Sequence, residues 1–105
     1  MTVTAMLTVS PVDDPAVDFE ADIARAIDAL EDFEVSYETH PMETTIEAES
    51  LEEVFAAAQA ATEAMAASRT LTHLKIDHFR ERTLAAEDKV TMVEEHLGRE
   101  ARGGR

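Results

Sequence analysis

The chain has 105 residues, 45% of them hydrophobic, with nine Lys and Arg against 23 Asp and Glu and no cysteine or tryptophan. That length fits a single domain with its own core, and a formal charge of −14 repels nucleic-acid phosphates and anionic lipid heads. The lack of cysteine excludes a disulfide framework, a thiol nucleophile and a zinc–thiolate site, and no apolar run nears the roughly 20 residues that span a bilayer.

Residues 2–10 alternate Val3, Ala5, Leu7 and Val9 against Thr4, Met6, Thr8 and Ser10, the period of a strand with one buried face. Pro11 to Pro15 read as a turn, with Asp14 as the N-cap and Pro15 opening a helix over 15–32. That helix is expected to bury Phe19, Ile23, Ala26, Ile27 and Leu30, with Asp18, Glu20 and Asp22 near its positive end. Residues 34–40 alternate again, Pro41-Met42 turns the chain, and 44–48 form a third strand with Ile46 inward. Ser50 and Glu53 make a capping box for a second helix whose stripe is Leu51, Val54, Phe55, Ala58, Ala61 and Met65. A fourth strand over 70–77 sends Leu74 and Ile76 one way and His73, Lys75 and Asp77 the other. Thr83 is the expected cap of a last helix, striped by Ala86, Val90, Val93 and Leu97 and stopped by Gly98. The single domain is placed at 1–98 and a disordered tail at 99–105.

This order is the split βαβ pattern of a ferredoxin-like α+β sandwich, βαββαβ with an added C-terminal helix. It predicts a four-stranded antiparallel sheet in spatial order 4-1-3-2 with two helices on one face. The acidic, Lys-poor composition, with seven Arg and two Lys, suits a salt-rich cytoplasm, where screening makes self-repulsion tolerable. The first residues lack the basic start of a signal peptide, which also points to the cytoplasm. Most carboxylates are therefore read as a solvated surface.

The residues facing away from the helices decide function. Alternation places Met6, Thr8, Ser10, Glu38, His40, Thr45, Glu47, His73, Lys75 and Asp77 there. They form either a solvated face or a polar cavity closed when sheets stack. His73 and His78, five apart, point to opposite faces, and there is no HExxH spacing, so no metal site is expected. Nucleophilic triads and glycine-rich phosphate loops lack their signatures, since all three glycines fall at 98, 103 and 104. The central strands carry no aromatic on which a nucleic-acid base might stack.

Two segments, YETHPMETTIEA (37–48) and LTHLKIDHFR (71–80), with the closing DKVTMVEEHL (88–97), resemble the small thiamine-binding-protein family of single-domain ferredoxin-like proteins. The resemblance implies a non-enzymatic protein, without a cofactor, that binds thiamine or its hydroxymethylpyrimidine precursor. It also implies a homo-oligomer, commonly a tetramer, with ligand near the stacked sheet faces. Tyr37, Glu38, Pro41, Met42, Thr44, Ile46 and Glu47 match the first segment; Thr72, Lys75, Ile76, Asp77 and Arg80 match the second. Glu43, His40 and His78 depart from it, and Met6 stands where relatives often have a glutamate. The expected ligand-binding residues are Thr8, Glu38, Thr45, Glu47, His73, Lys75 and Asp77. A carboxylate with neighbouring hydroxyls complements the amino donor and ring acceptors of an aminopyrimidine. Two other readings stay open: an oligomeric structural or regulatory module without a small ligand, and a cofactor-free dimeric-barrel enzyme using His73 or His40 as base.

Overall fold

Strand β1 (Thr2–Pro11) alternates as its sequence demands. Val3, Ala5, Leu7 and Val9 are buried on one face, and Thr4, Met6, Thr8 and Ser10 lie half-buried on the other in the computed structural model, which describes residues 2–104. Met1 and Arg105, the ends of the expected domain and tail, lie outside the described residues. Strands β2 (Ser36–Thr39), β3 (Thr44–Ala48) and β4 (Thr70–Phe79) complete an antiparallel sheet. Its order, β2-β3-β1-β4, is the expected 4-1-3-2 read from the other edge.

Helices α1 (Phe19–Asp28) and α2 (Leu51–Glu63) cover the core face. Ala26 and the following Leu30, with Val54, Ala57, Ala58 and Ala61, are buried against Val3, Leu7 and Ile46. The alanines bring α2 close to the sheet, because their short side chains leave no ridge to hold it off. The fold is an α+β ferredoxin-like sandwich.

Several boundaries differ from the sequence reading, each for a local reason. Helix α1 starts at Phe19 rather than residue 15, and its N-cap is Asp18, which accepts from the Ala21 N–H at 2.9 Å. Asp14 instead accepts from Ala16 N–H at 3.1 Å and from the distant Ser68 N–H at 3.0 Å. Pro15 thus sits inside a turn closed by Val17 N–H on the Asp14 carbonyl, not in the helix. Beyond Asp28 the helix tightens into a 3-10 turn over Ala29–Asp32. Phe19 and Phe55, expected in the core, are 51% and 56% exposed. Phe19 is the first residue of α1, and Phe55 follows Val54, which takes the core position. Ser50 caps α2 by accepting from Glu53 N–H, whereas the Glu53 carboxylate turns to Glu34 N–H, so only half the capping box forms.

Helix α3 (Ala86–Leu97) is capped by Ala85 rather than Thr83, with the Asp88 carboxylate accepting from Ala85 N–H at 2.9 Å. Gly98 ends it at φ +72, a left-handed conformation that suits glycine. It lies on the sheet face opposite α1 and α2, anchored through its first turns. The radius of gyration is 15.5 Å, against about 13 Å for a compact domain of this length. The excess reflects a helix that stands off the body.

Candidate functional site

The strand registers put the open-face residues into cross-sheet rows. Ser36, Glu47, Thr4 and Asp77 form one row; Glu38, Thr45, Met6 and Lys75 form the next; Thr8 faces His73 in a third. Glu47 and Lys75 thus sit in different rows as well as on non-adjacent strands, and Lys75 lies opposite Met6.

Helix α3 roofs the first two rows at the β2–β3 side. The Glu47 carboxylate accepts from Ala86 N–H at 2.8 Å, at the helix's positive end. Lys89 pairs with Asp77 and also lies over the Phe79 ring at 5.5 Å. Thr2 Oγ1 accepts from Leu84 N–H at 3.0 Å. Between roof and sheet is a cavity of about 850 Å3, within the usual range for small-molecule sites. Thr4, Ser36, Glu38, Thr45 and Glu47 form its floor, with Tyr37 and His40 at the β2 side. Ala86, Glu87, Lys89, Val90 and Glu94 of α3, together with Glu100, Ala101 and Arg102, form the opposite wall.

Of the expected ligand-binding residues, Glu38, Thr45 and Glu47 are brought together here, and Asp77 stands at the rim through Lys89. Thr8, His73 and Lys75 lie on the part of the face that α3 leaves uncovered; His73 and Lys75 are exposed. Several floor groups already have partners. Thr45 Oγ1 donates to Glu43 at 3.0 Å, and His40 Nε2 lies 3.7 Å from the Glu38 carboxylate. The Tyr37 hydroxyl donates to Glu31, and that hydrogen bond, with burial, raises its pKa above the usual phenol value. The Thr4 hydroxyl is buried with no hydrogen-bond partner among the described residues. Among those residues no group of three His, Asp or Glu side chains is placed to hold a metal, and no helix is long and apolar enough to cross a membrane.

The α3 wall is not evident from sequence. The Ala86, Val90, Val93, Leu97 stripe expected of this helix does not pack on the sheet: Val90, Val93 and Leu97 stay 42%, 54% and 45% exposed, and polar bonds from residues 84, 86 and 89 seat the helix instead.

Comparison with known proteins settles the lineage. A family model described as thiamine-binding protein matches residues 5–94. The chain belongs to that family. It is 38% identical over 98 residues to a UPF0045 protein of Methanothermobacter thermautotrophicus, covering 90% of this chain and 99% of the relative. It resembles the structure of a Thermotoga maritima protein named for thiamine biosynthesis or salvage, at TM-score 0.74 and 25% identity, covering 89% of this chain and 99% of the other. A hypothetical protein from Methanocaldococcus jannascii shares the fold at TM-score 0.78 and 24% identity, over 90% of this chain and 97% of its own.

Proposed function

We propose that this family member is a non-catalytic, cytoplasmic binder of thiamine or its hydroxymethylpyrimidine precursor, acting as a homo-oligomer. The observation that carries the reading is the cavity between sheet and α3, with the Glu47 carboxylate and the unpartnered Thr4 hydroxyl as neighbours on its floor. Only Oε2 of Glu47 is engaged by Ala86. Its other oxygen is the acceptor proposed for the exocyclic amino group of an aminopyrimidine, with Thr4 as donor to a ring nitrogen. The uncovered rows around Thr8, His73 and Lys75, with Leu71 45% exposed beside them, are proposed as the surface against which a second copy stacks. Val93 and Leu97 on α3 are also half exposed and form a second apolar patch with Met92 and His96. A tetramer built from two such dimers is the expected assembly.

Native mass spectrometry of protein purified in high salt tests the ligand, because a retained compound is named by its mass. Calorimetry with thiamine and with hydroxymethylpyrimidine completes the test. Glu47→Gln is expected to weaken binding roughly ten- to hundredfold through loss of a charge-assisted hydrogen bond. An unliganded protein that binds neither compound overturns the proposal. The ligand-free oligomeric module is then favoured, since Thr45 and one Glu47 oxygen are already satisfied within the chain.

A further inference from the structure

We infer that the α3 wall makes this cavity selective for unphosphorylated, cationic ligands and excludes their phosphate esters. The inference rests on the binding reading above and concerns what that site refuses. Five carboxylates line the cavity (Glu38 and Glu47 on the floor, Glu87, Glu94 and Glu100 on the wall) against two cations, Lys89 and Arg102. Lys89 is already committed to Asp77 and the Phe79 ring. Among the described residues of the lining, Arg102 is therefore the one cation left for an incoming anion.

A phosphate group needs either an Arg fork or free amides at a helix N-terminus. The α3 N-terminus borders the cavity, but carboxylates already hold its first two amides. Glu47 holds Ala86 N–H and Asp88 holds Ala85 N–H. The positive end of the helix is thus neutralised by two carboxylates before any ligand arrives. A phosphate ester brings roughly two further negative charges into a lining that is already net negative. A thiazolium or protonated aminopyrimidine meets the opposite field, and the unpartnered Thr4 hydroxyl offers it a neutral hydrogen bond.

The family match ends at residue 94, whereas Glu100 and Arg102 lie beyond it. The specificity-determining residues are assigned as Glu87 and Glu100, both exposed, so their replacement does not disturb the core.

Calorimetry with thiamine and thiamine monophosphate, on wild type and on Glu87→Gln/Glu100→Gln, tests the inference. Wild type is expected to prefer thiamine, and the double variant to narrow that preference roughly tenfold, mainly by gaining affinity for the monophosphate. Equal binding of both compounds by wild type overturns the selectivity and leaves the thiamine-binding proposal standing. A wild-type preference untouched in the double variant overturns the assignment to Glu87 and Glu100. Binding of neither compound by wild type removes the binding proposal itself, and this inference with it.

Discussion

Asp22 is fully buried, yet it sits in the first turn of an amphipathic helix. Its carboxylate accepts from Ala66 N–H at 2.6 Å, Ala67 N–H at 3.2 Å and the Arg25 guanidinium at 2.7 Å. It thereby ties the α2–β4 connection to α1. Burial pushes its pKa up, but the two backbone donors and Arg25 outweigh burial and hold it below the ordinary carboxyl value. Asp14, receiving Ser68 and Ala16 N–H, is lowered as well. A depressed folded-state pKa stabilises the fold above the unfolded value of about 3.9 and loses that contribution as pH falls through the folded value. Thermal unfolding measured between pH 2 and pH 7 is therefore expected to show stability falling below about pH 4. Asp22→Asn should lower Tm by about 10 °C at neutral pH and flatten the acid limb, the remaining slope coming from groups such as Asp14. A variant that melts with wild type at pH 7 would show that the 66–67 amides find other acceptors.

At the scale of elements, α3 is the piece whose place needs explaining. It has a capped start and a left-handed glycine stop, but its tether to the body is polar: Ala86 to Glu47, Leu84 to Thr2, Lys89 to Asp77. With so little apolar burial, removing one tether should show locally. Glu47→Ala is expected to raise amide exchange across residues 84–97 about tenfold, the equivalent of one hydrogen bond to a charged group. Glu47→Gln keeps a carbonyl acceptor for Ala86 and should leave exchange near wild type while losing ligand affinity, which separates the two duties of this side chain. Equal exchange in wild type and Glu47→Ala would mean that Thr2 and Lys89 suffice. The sheet was legible because its information is local: period-two strands, an intervening Ser50 cap, and the chain order that leaves 4-1-3-2 as the natural pairing. The grouping of Glu38, Thr45 and Glu47 came from alternation alone. The seat of α3 was not legible, since the 80–85 connection carries no signal for which face it crosses to. Asp14 read as the cap and Asp18 as a dipole partner; the structure reverses the first because Asp14 is drawn to Ser68, 54 residues away. Asp22 read as a dipole partner for the same reason: the amides that donate to it lie 44 and 45 residues further along the chain.

Across the whole molecule the charge is unevenly divided. Residues 1–74 hold sixteen Asp and Glu against Arg25 and Arg69, and so carry the entire net charge of −14. Residues 75–105, spanning the second half of β4, α3 and the C-terminal segment, hold seven acids and seven bases. The helix layer and the β2–β3 edge repel their own copies, whereas the face built from β4 and α3 does not. For the oligomer proposed above, this division of charge favours contact through the uncovered β4 rows over contact through the helix layer or the β2–β3 edge. The Debye length grows from about 3 Å at 1 M salt to about 30 Å at 0.01 M, so at low salt every carboxylate of the acidic half feels the others. Tm is expected to fall, and light scattering to show partial dissociation, as potassium chloride drops below about 0.1 M. Glu52 and Glu63, exposed on α2, locate the cause. Glu52→Lys/Glu63→Lys should recover a few degrees of Tm, about 0.2–1 kcal/mol per site, at 0.05 M salt and change little at 2 M, where the repulsion is already screened. A Tm independent of salt in wild type, or a double variant that gains equally at both salt concentrations, would assign the acidic half to solubility alone and remove electrostatic steering from the account of assembly.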